Sequence, residues 1–121
     1  MKIYKVYKFY DGNCDDPDAV YVSNYDKAIQ ILNDLVRGEC KNVAYGKLNE
    51  EEFREALKKF RKWSIKWVDV FICRKYPFIM YKDIFSNLVV DIPYKEEKTC
   101  GCEGYDLKVN RLILREIEVV E

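Results

Sequence analysis

The sequence predicts a single α+β domain spanning residues 1–121, built on one antiparallel sheet with an N-terminal hairpin and two main helices. Three observations predict it. Short runs rich in Val, Ile, Tyr and Phe occur at both ends and through the second half of the chain. Two segments repeat apolar residues at steps of three and four. Strand and helix do not alternate in the regular way that builds a parallel sheet with crossover helices. With 121 residues, 49% of them hydrophobic and 35% charged, the chain suits one core that hides about two thirds of the surface exposed when unfolded.

The elements follow in order. KIYKVYKFY, residues 2–10, reads as a strand whose lysine stems lie along the sheet. DGNCDDPD is its loop, and AVYVS, 19–23, returns as the second strand of the hairpin. Ser23 followed by Asp26 resembles a capping box. Ala28, Ile29, Ile31, Leu32, Leu35 and Val36 then fall at helical spacing, and Gly38 is expected at the C-cap. Asn49 opens the second helix, with Glu52 three residues on and Glu50 and Glu51 placing negative charge on the positive end of the dipole. Its core stripe is Phe53, Ala56, Leu57, Phe60, Ser64 and Trp67. VFIC, FIMY and LVVDI are short strands broken by Pro77, Pro93 and residues 83–87, and RLILREIEVV closes the sheet. The polar stretch Tyr94–Asp106, YKEEKTCGCEGYD, is expected to be a loop.

Composition narrows the chemistry. Twenty-one basic and 21 acidic residues cancel, so there is no long-range field to pull the molecule onto duplex nucleic acid, and only local patches matter. The absence of histidine removes the commonest general base, the Ser-His and Cys-His nucleophile pairs and every His-containing metal motif. The five glycines make neither a dinucleotide fingerprint nor a phosphate loop. No apolar run is long enough for a membrane span or a signal peptide, which predicts a cytosolic chain. Five cysteines, an odd number in such a chain, point to free thiols. The expectation is a binding protein, not an enzyme, with no cofactor and no metal.

Several constellations qualify as sites. KKFRKWSIKW, 58–67, interleaves Lys58, Lys59, Arg61, Lys62 and Lys66 with Phe60, Trp63 and Trp67, without an acid. It is either the solvated side of an amphipathic helix or an anion platform, in which Lys62 and Lys66 neutralise phosphate and Trp63 stacks on a base. Arg111 and Arg115 share one face of the closing strand with Ile113 between them. They either pair with acidic sheet neighbours or converge on a ligand phosphate, with Phe85 and Asn87 as stacking and base-edge contacts. Cys100 and Cys102 in CGC lack the usual zinc-knuckle spacing, and Cys14 and Cys40 lie far off in sequence, so packed or free thiols are the simpler reading, with a redox-active pair as a further alternative. Asp11, Asn13 and Asp15 start like a calcium loop, but Asp16 stands at its glycine position and Val22 at its closing glutamate.

MKIYKVYKFYDG, DAVYVSNYDKAIQIL and LILREIEVVE together resemble small accessory proteins of phages and prophages of Gram-positive bacteria, over residues 1–36 and 111–121. Among these the chain is similar to the anti-Thoeris sponge family, counter-defence proteins that sequester a cyclic ADP-ribose-type signal without cleaving it. That resemblance implies a small signalling nucleotide as ligand, action in the host cytoplasm, and aromatic and arginine contacts for which Phe85, Asn87, Arg111 and Arg115 are the matching positions. A homo-oligomer closing two pockets is expected. Two alternatives stand beside it. One is a protein-binding inhibitor of a host defence protein, presenting Asp11, Asp15, Asp16 and Asp18 in place of nucleic-acid phosphates. The other is a single-strand nucleic-acid binder that uses the 58–67 helix.

Overall fold

The computed structural model describes residues 1–9, 16–63, 68–73, 78–83, 85–97 and 104–120, of which 60–63 and 68–73 as backbone only. The chain is an α+β domain. Its described strands are β1 (Lys2–Phe9), β2 (Val20–Val22), β3 (Val68–Cys73), β4 (Phe78–Lys82), β5 (Leu88–Glu97) and β6 (Tyr105–Glu118), and its main helices are α1 (Tyr25–Asn42) and α2 (Glu50–Trp63). The strands form one antiparallel sheet in the order β2-β1-β6-β5-β4-β3. β6 is central to it, pairing with β1 from Phe9 opposite Arg111 to Lys2 opposite Glu118, and with β5 from Glu97 opposite Tyr105 to Leu88 opposite Leu114.

Successive side chains of a strand point to opposite faces, so a sheet with apolar residues at adjacent positions must be covered on both. β6 has such a run in Leu112, Ile113 and Leu114. On one face α1 seats Ala28, Leu32, Val36 and Cys40 against Val6, Val90, Ile92, Leu112 and Leu114. On the other, Leu48, Phe53 and Ala56 pack with Ile79, Tyr81, Val89 and Ile113. The chain passes from the first layer to the second at Gly46, whose α-carbon lies against the backbone of Lys95 so closely that a Cβ would meet the Lys95 carbonyl oxygen. That close approach uses the edge of β5 beyond the last residue paired with β4.

The helix starts differ in how local chemistry sets them. At α2 the capping box forms as expected: the Asn49 side chain accepts from the Glu52 backbone N–H at 2.8 Å and the Glu52 carboxylate accepts from the Asn49 N–H at 3.0 Å. At α1 the cap is Asn24, which accepts from the Lys27 N–H at 3.1 Å, and not Ser23. Gly38 does not end this helix. α1 runs on to Asn42, because Cys40 and Val43 continue the buried stripe and outweigh one glycine on the exposed side. The stretch 94–106, expected as a loop, is strand in its described parts, Tyr94–Glu97 and Tyr105–Asp106. Tyr94–Glu97 pair with Tyr105–Lys108 as a two-stranded extension of the sheet, where open faces accept Lys and Glu side chains.

Candidate functional site

β1 is described as far as Phe9, opposite Arg111, while β6 continues back through Asn110 to Tyr105 with β5 as its only described strand partner. Beside this part of β6 is a cleft of about 580 Å³. It is lined by Lys8 and Phe9 of β1, Leu107, Lys108, Val109, Asn110 and Arg111 of β6, and Tyr94 of β5. Its lining includes residues from both faces of the sheet: Lys8, Lys108 and Asn110 from the α1 side, Phe9 and Arg111 from the other.

Arg111 is held from behind. Its Nε donates to Asp91 Oδ1 at 2.7 Å and an Nη donates to Oδ2 at 3.1 Å, and the Tyr81 hydroxyl donates to Oδ2 at 2.8 Å. Asp91 is 2% exposed and sits directly opposite Arg111 in the β5–β6 register, whereas the Arg111 side chain is 40% exposed. A fork-to-fork pair of this kind fixes the plane of the guanidinium. Burial, and then the Asp91 charge, push the Tyr81 phenol well above its usual range, so it stays a hydrogen-bond donor. The Phe9 ring centroid is 6.0 Å from the Arg111 guanidinium carbon.

On the α1 side, one oxygen of Glu39 accepts from Lys8 Nζ at 3.2 Å and from the Asn110 amide at 3.0 Å. Two of the three cations lining the cleft therefore carry a carboxylate behind them. Lys108 is exposed and has no ion pair among the described residues, so it leaves the site one positive charge in excess. Tyr94 lies at the rim with its ring edge-on to Tyr45 at 6.2 Å, and burial raises its phenol above the ordinary value. The result is a concave surface with two rings, an amide, two oriented cations and a further lysine, suited to holding a phosphate and an aromatic base.

Of the expected site residues whose side chains are described, Arg111 alone lies in this cleft. Arg115 shares its face but stands four residues on, about 13 Å along the strand. The two arginines thus belong to opposite ends of that face, and the pairing reading holds for Arg111 through Asp91. Phe85 and Asn87 belong to the turn between β4 and β5, level with Arg115. Phe85 is 78% exposed there, but the Asn87 amide donates to Asp83 at 3.2 Å, and the same carboxylate accepts both the Phe85 and the Asn87 backbone N–H at 2.9 Å. Asn87 holds the turn together. Lys62 and Trp63 are in the last turn of α2, on the Arg111 and Arg115 side of the sheet, where the structure describes backbone only; Lys66 lies outside the described residues. So do Asp11, Asn13, Asp15, Cys14, Cys100 and Cys102, and with them the calcium-like loop and the CGC pair, while Cys40 is buried and packed into the α1 core.

Lys8, Phe9, Tyr94, Lys108 and Asn110 are not legible in the sequence as a group. Alternation along YDLKVNR assigns Lys108 and Asn110 to one face and Arg111 to the other; only the register of β1 on β6 brings Lys8 and Phe9 beside them. No helix among the described residues is long and apolar enough to cross a membrane. Comparison with family models, with curated proteins and with solved structures finds no match.

Proposed function

We propose that this protein binds a small phosphate-bearing nucleotide in the cleft at the end of β1 and holds it without chemical change, as a sponge acting against a host defence signal. The observation that carries the reading is the coincidence, in one cleft of about 580 Å³, of Arg111, Lys108, Asn110, Phe9 and Tyr94 with no carboxylate among its described lining residues. Volume and composition suit a nucleotide-sized ligand. Phe9 and Tyr94 offer π-faces for the base, Asn110 a base-edge or ribose contact, and Lys108 with the fixed guanidinium of Arg111 the phosphate. Sequestration needs a preorganised surface and nothing more, and the Asp91 and Glu39 supports supply preorganisation. The resemblance to the sponge family implies the same class of ligand.

The acidic-loop alternative draws less support. One of its four aspartates, Asp16, has both oxygens engaged by backbone N–H groups of Lys8 and Asp18 at 2.9 Å, which spends that carboxylate on the loop itself. The test is a thermal-shift screen against cyclic ADP-ribose isomers, cyclic dinucleotides and mononucleotides, followed by calorimetric titration of any hit. A nucleotide that raises the melting temperature, loses about tenfold in affinity with Lys108→Ala and is recovered intact from the denatured complex meets the proposal. Silence across the panel, or recovery of a cleaved nucleotide, overturns it.

A further inference from the structure

The face that carries α2 also receives Lys5, Tyr7 and Phe9 of β1, Tyr21 of β2, and Arg111 and Arg115 of β6. The register places two cations directly opposite one another here: Lys5 pairs with Arg115, and on its other side Lys5 pairs with Tyr21. Like charges at opposed positions weaken a ladder. Nothing on these strands offsets this, because β1, β2 and β6 turn no Asp or Glu to this face, and Asp106, Glu116 and Glu118 alternate to the other. Among the described residues neither Lys5 nor Arg115 has an ion pair. The Lys5 ammonium instead lies over two rings, 4.6 Å from the Tyr7 centroid and 5.7 Å from that of Tyr21, and Tyr21 is 58% exposed.

An opposed cation pair with no ion-pair partner among the described residues, beside an exposed ring, is a site for an anion that carries an aromatic group. We propose that Lys5 and Arg115 hold a phosphate between them, and that the ligand of this protein is an oligonucleotide with at least three nucleotides joined by phosphodiesters. The inference rests on the reading of the Arg111 cleft as a nucleotide site. Two phosphate positions about 13 Å apart along β6 are too far for the phosphates of one mononucleotide, and adjacent phosphates of a strand, joined by one nucleoside, reach only about half that distance, so two nucleosides fit between them. Phe9 at one end and Tyr21 at the other supply exposed rings for bases. A free short oligonucleotide and a segment of a longer single strand present the same chemistry.

The experiment compares three probes by calorimetric titration at several salt concentrations: adenosine monophosphate, the trinucleotide pApApA, and a single-stranded oligoadenylate of about twelve nucleotides. Each is measured on the parent protein and on Lys5→Ala/Arg115→Ala, with Lys5→Gln/Arg115→Gln as a second variant that keeps more of the side-chain packing. Removing opposed charges from an open face leaves the melting temperature equal or higher, which separates a binding loss from a folding loss. The proposal expects pApApA to bind about tenfold tighter than the mononucleotide, both variants to erase that gain while leaving mononucleotide affinity unchanged, and the salt slope to fall by about 0.7 for the one phosphate no longer neutralised. A dodecamer tighter than pApApA identifies a long single strand as the source; equal affinities identify a free short oligonucleotide. If pApApA binds no better than the mononucleotide, or the gain survives in both variants, the Lys5 and Arg115 subsite is wrong and the cleft stands. If the mononucleotide does not bind the parent at all, the cleft reading fails and the two-site ligand with it.

Discussion

Arg111→Ala and Asp91→Ala remove opposite halves of one ion pair, and the structure predicts that they are unequal. Truncating Arg111 leaves a carboxylate that is 2% exposed and still accepts from the Tyr81 hydroxyl, but has lost its facing cation. Stranding a buried charge costs about 3–5 kcal/mol, and because the Arg111 side chain is 40% exposed, water can enter where it stood, which puts the expected loss near the lower end, about 3 kcal/mol. Truncating Asp91 leaves a cation that can turn to solvent and one buried hydroxyl without its acceptor, a loss of about 1–3 kcal/mol. The double variant has no stranded carboxylate. It should therefore cost less than the sum of the singles by at least about 2 kcal/mol. Urea unfolding followed by far-ultraviolet circular dichroism measures all three, with an unchanged denaturant slope as the check that the unfolded state is the same. Arg111→Ala proving milder than Asp91→Ala, or additive behaviour in the double variant, would refute the dependence of Asp91 on Arg111. The same result bears on the cleft, since a guanidinium that is not fixed by Asp91 is not preorganised for a ligand.

Four further outcomes follow from the fold. Gly38→Ala should raise unfolding free energy by about 0.5–1 kcal/mol, because the glycine is inside α1, exposed, and a Cβ there meets nothing within 4 Å; the same urea titration reads it. Gly46→Ala should lower it by about 2–3 kcal/mol, because the Lys95 carbonyl it would strike belongs to paired backbone of β5 and cannot swing aside; a thermal melt suffices to see this. Asn49→Ala should cost about 1 kcal/mol through loss of the α2 cap, with Glu52→Gln less damaging at neutral pH. The fourth concerns pH. The Tyr81 phenol is raised in the folded state, so above the ordinary tyrosine range near pH 10 the unfolded chain gives up that proton before the folded one does; stability falls with rising pH there, and Tyr81→Phe should flatten the alkaline limb of a stability profile. Glu52 works with the opposite sign. Its hydrogen bond from the Asn49 backbone holds its carboxyl below the usual range, so its contribution is present at neutral pH and is lost as pH falls through the folded value.

The fold is more legible in the sequence than the site is. Local signals are strong where one segment decides its own structure: the Asn49–Glu52 box sets the start of α2, and β-branched and aromatic runs locate β1, β4, β5 and β6. They mislead where tertiary packing outweighs them. Gly38 has the look of a helix end, but Cys40 and Val43 beyond it join the same core, and YKEEK has the composition of a loop although pairing with β6 holds its first four residues extended. Site residues are harder because proximity in a sheet depends on register. Alternation rightly sets Arg111 and Arg115 on one face, yet nothing in NRLILR tells that Asp91 stands opposite the first and Lys5 opposite the second. Nor does any local pattern reveal that Lys8 and Phe9 of β1 line one cleft with Lys108, Asn110 and Arg111 of β6.

The central place of β6 has a consequence for how the chain reaches its native state. Leu112 and Leu114 complete the layer under α1, and Ile113 completes the layer under α2, so the last strand in sequence closes both halves of the interior at once. β1 meanwhile waits for a partner roughly a hundred residues downstream, since Lys2 pairs with Glu118. During synthesis the hairpin and both helices emerge with their apolar sides uncovered until that strand leaves the ribosome. Non-local closure of this kind gives high contact order and slow folding, and it favours a late, all-or-none transition over stepwise assembly. A nascent chain arrested just before Tyr105 would therefore be a substrate for chaperones and proteases, and release of some fourteen more residues would convert it into a protected domain.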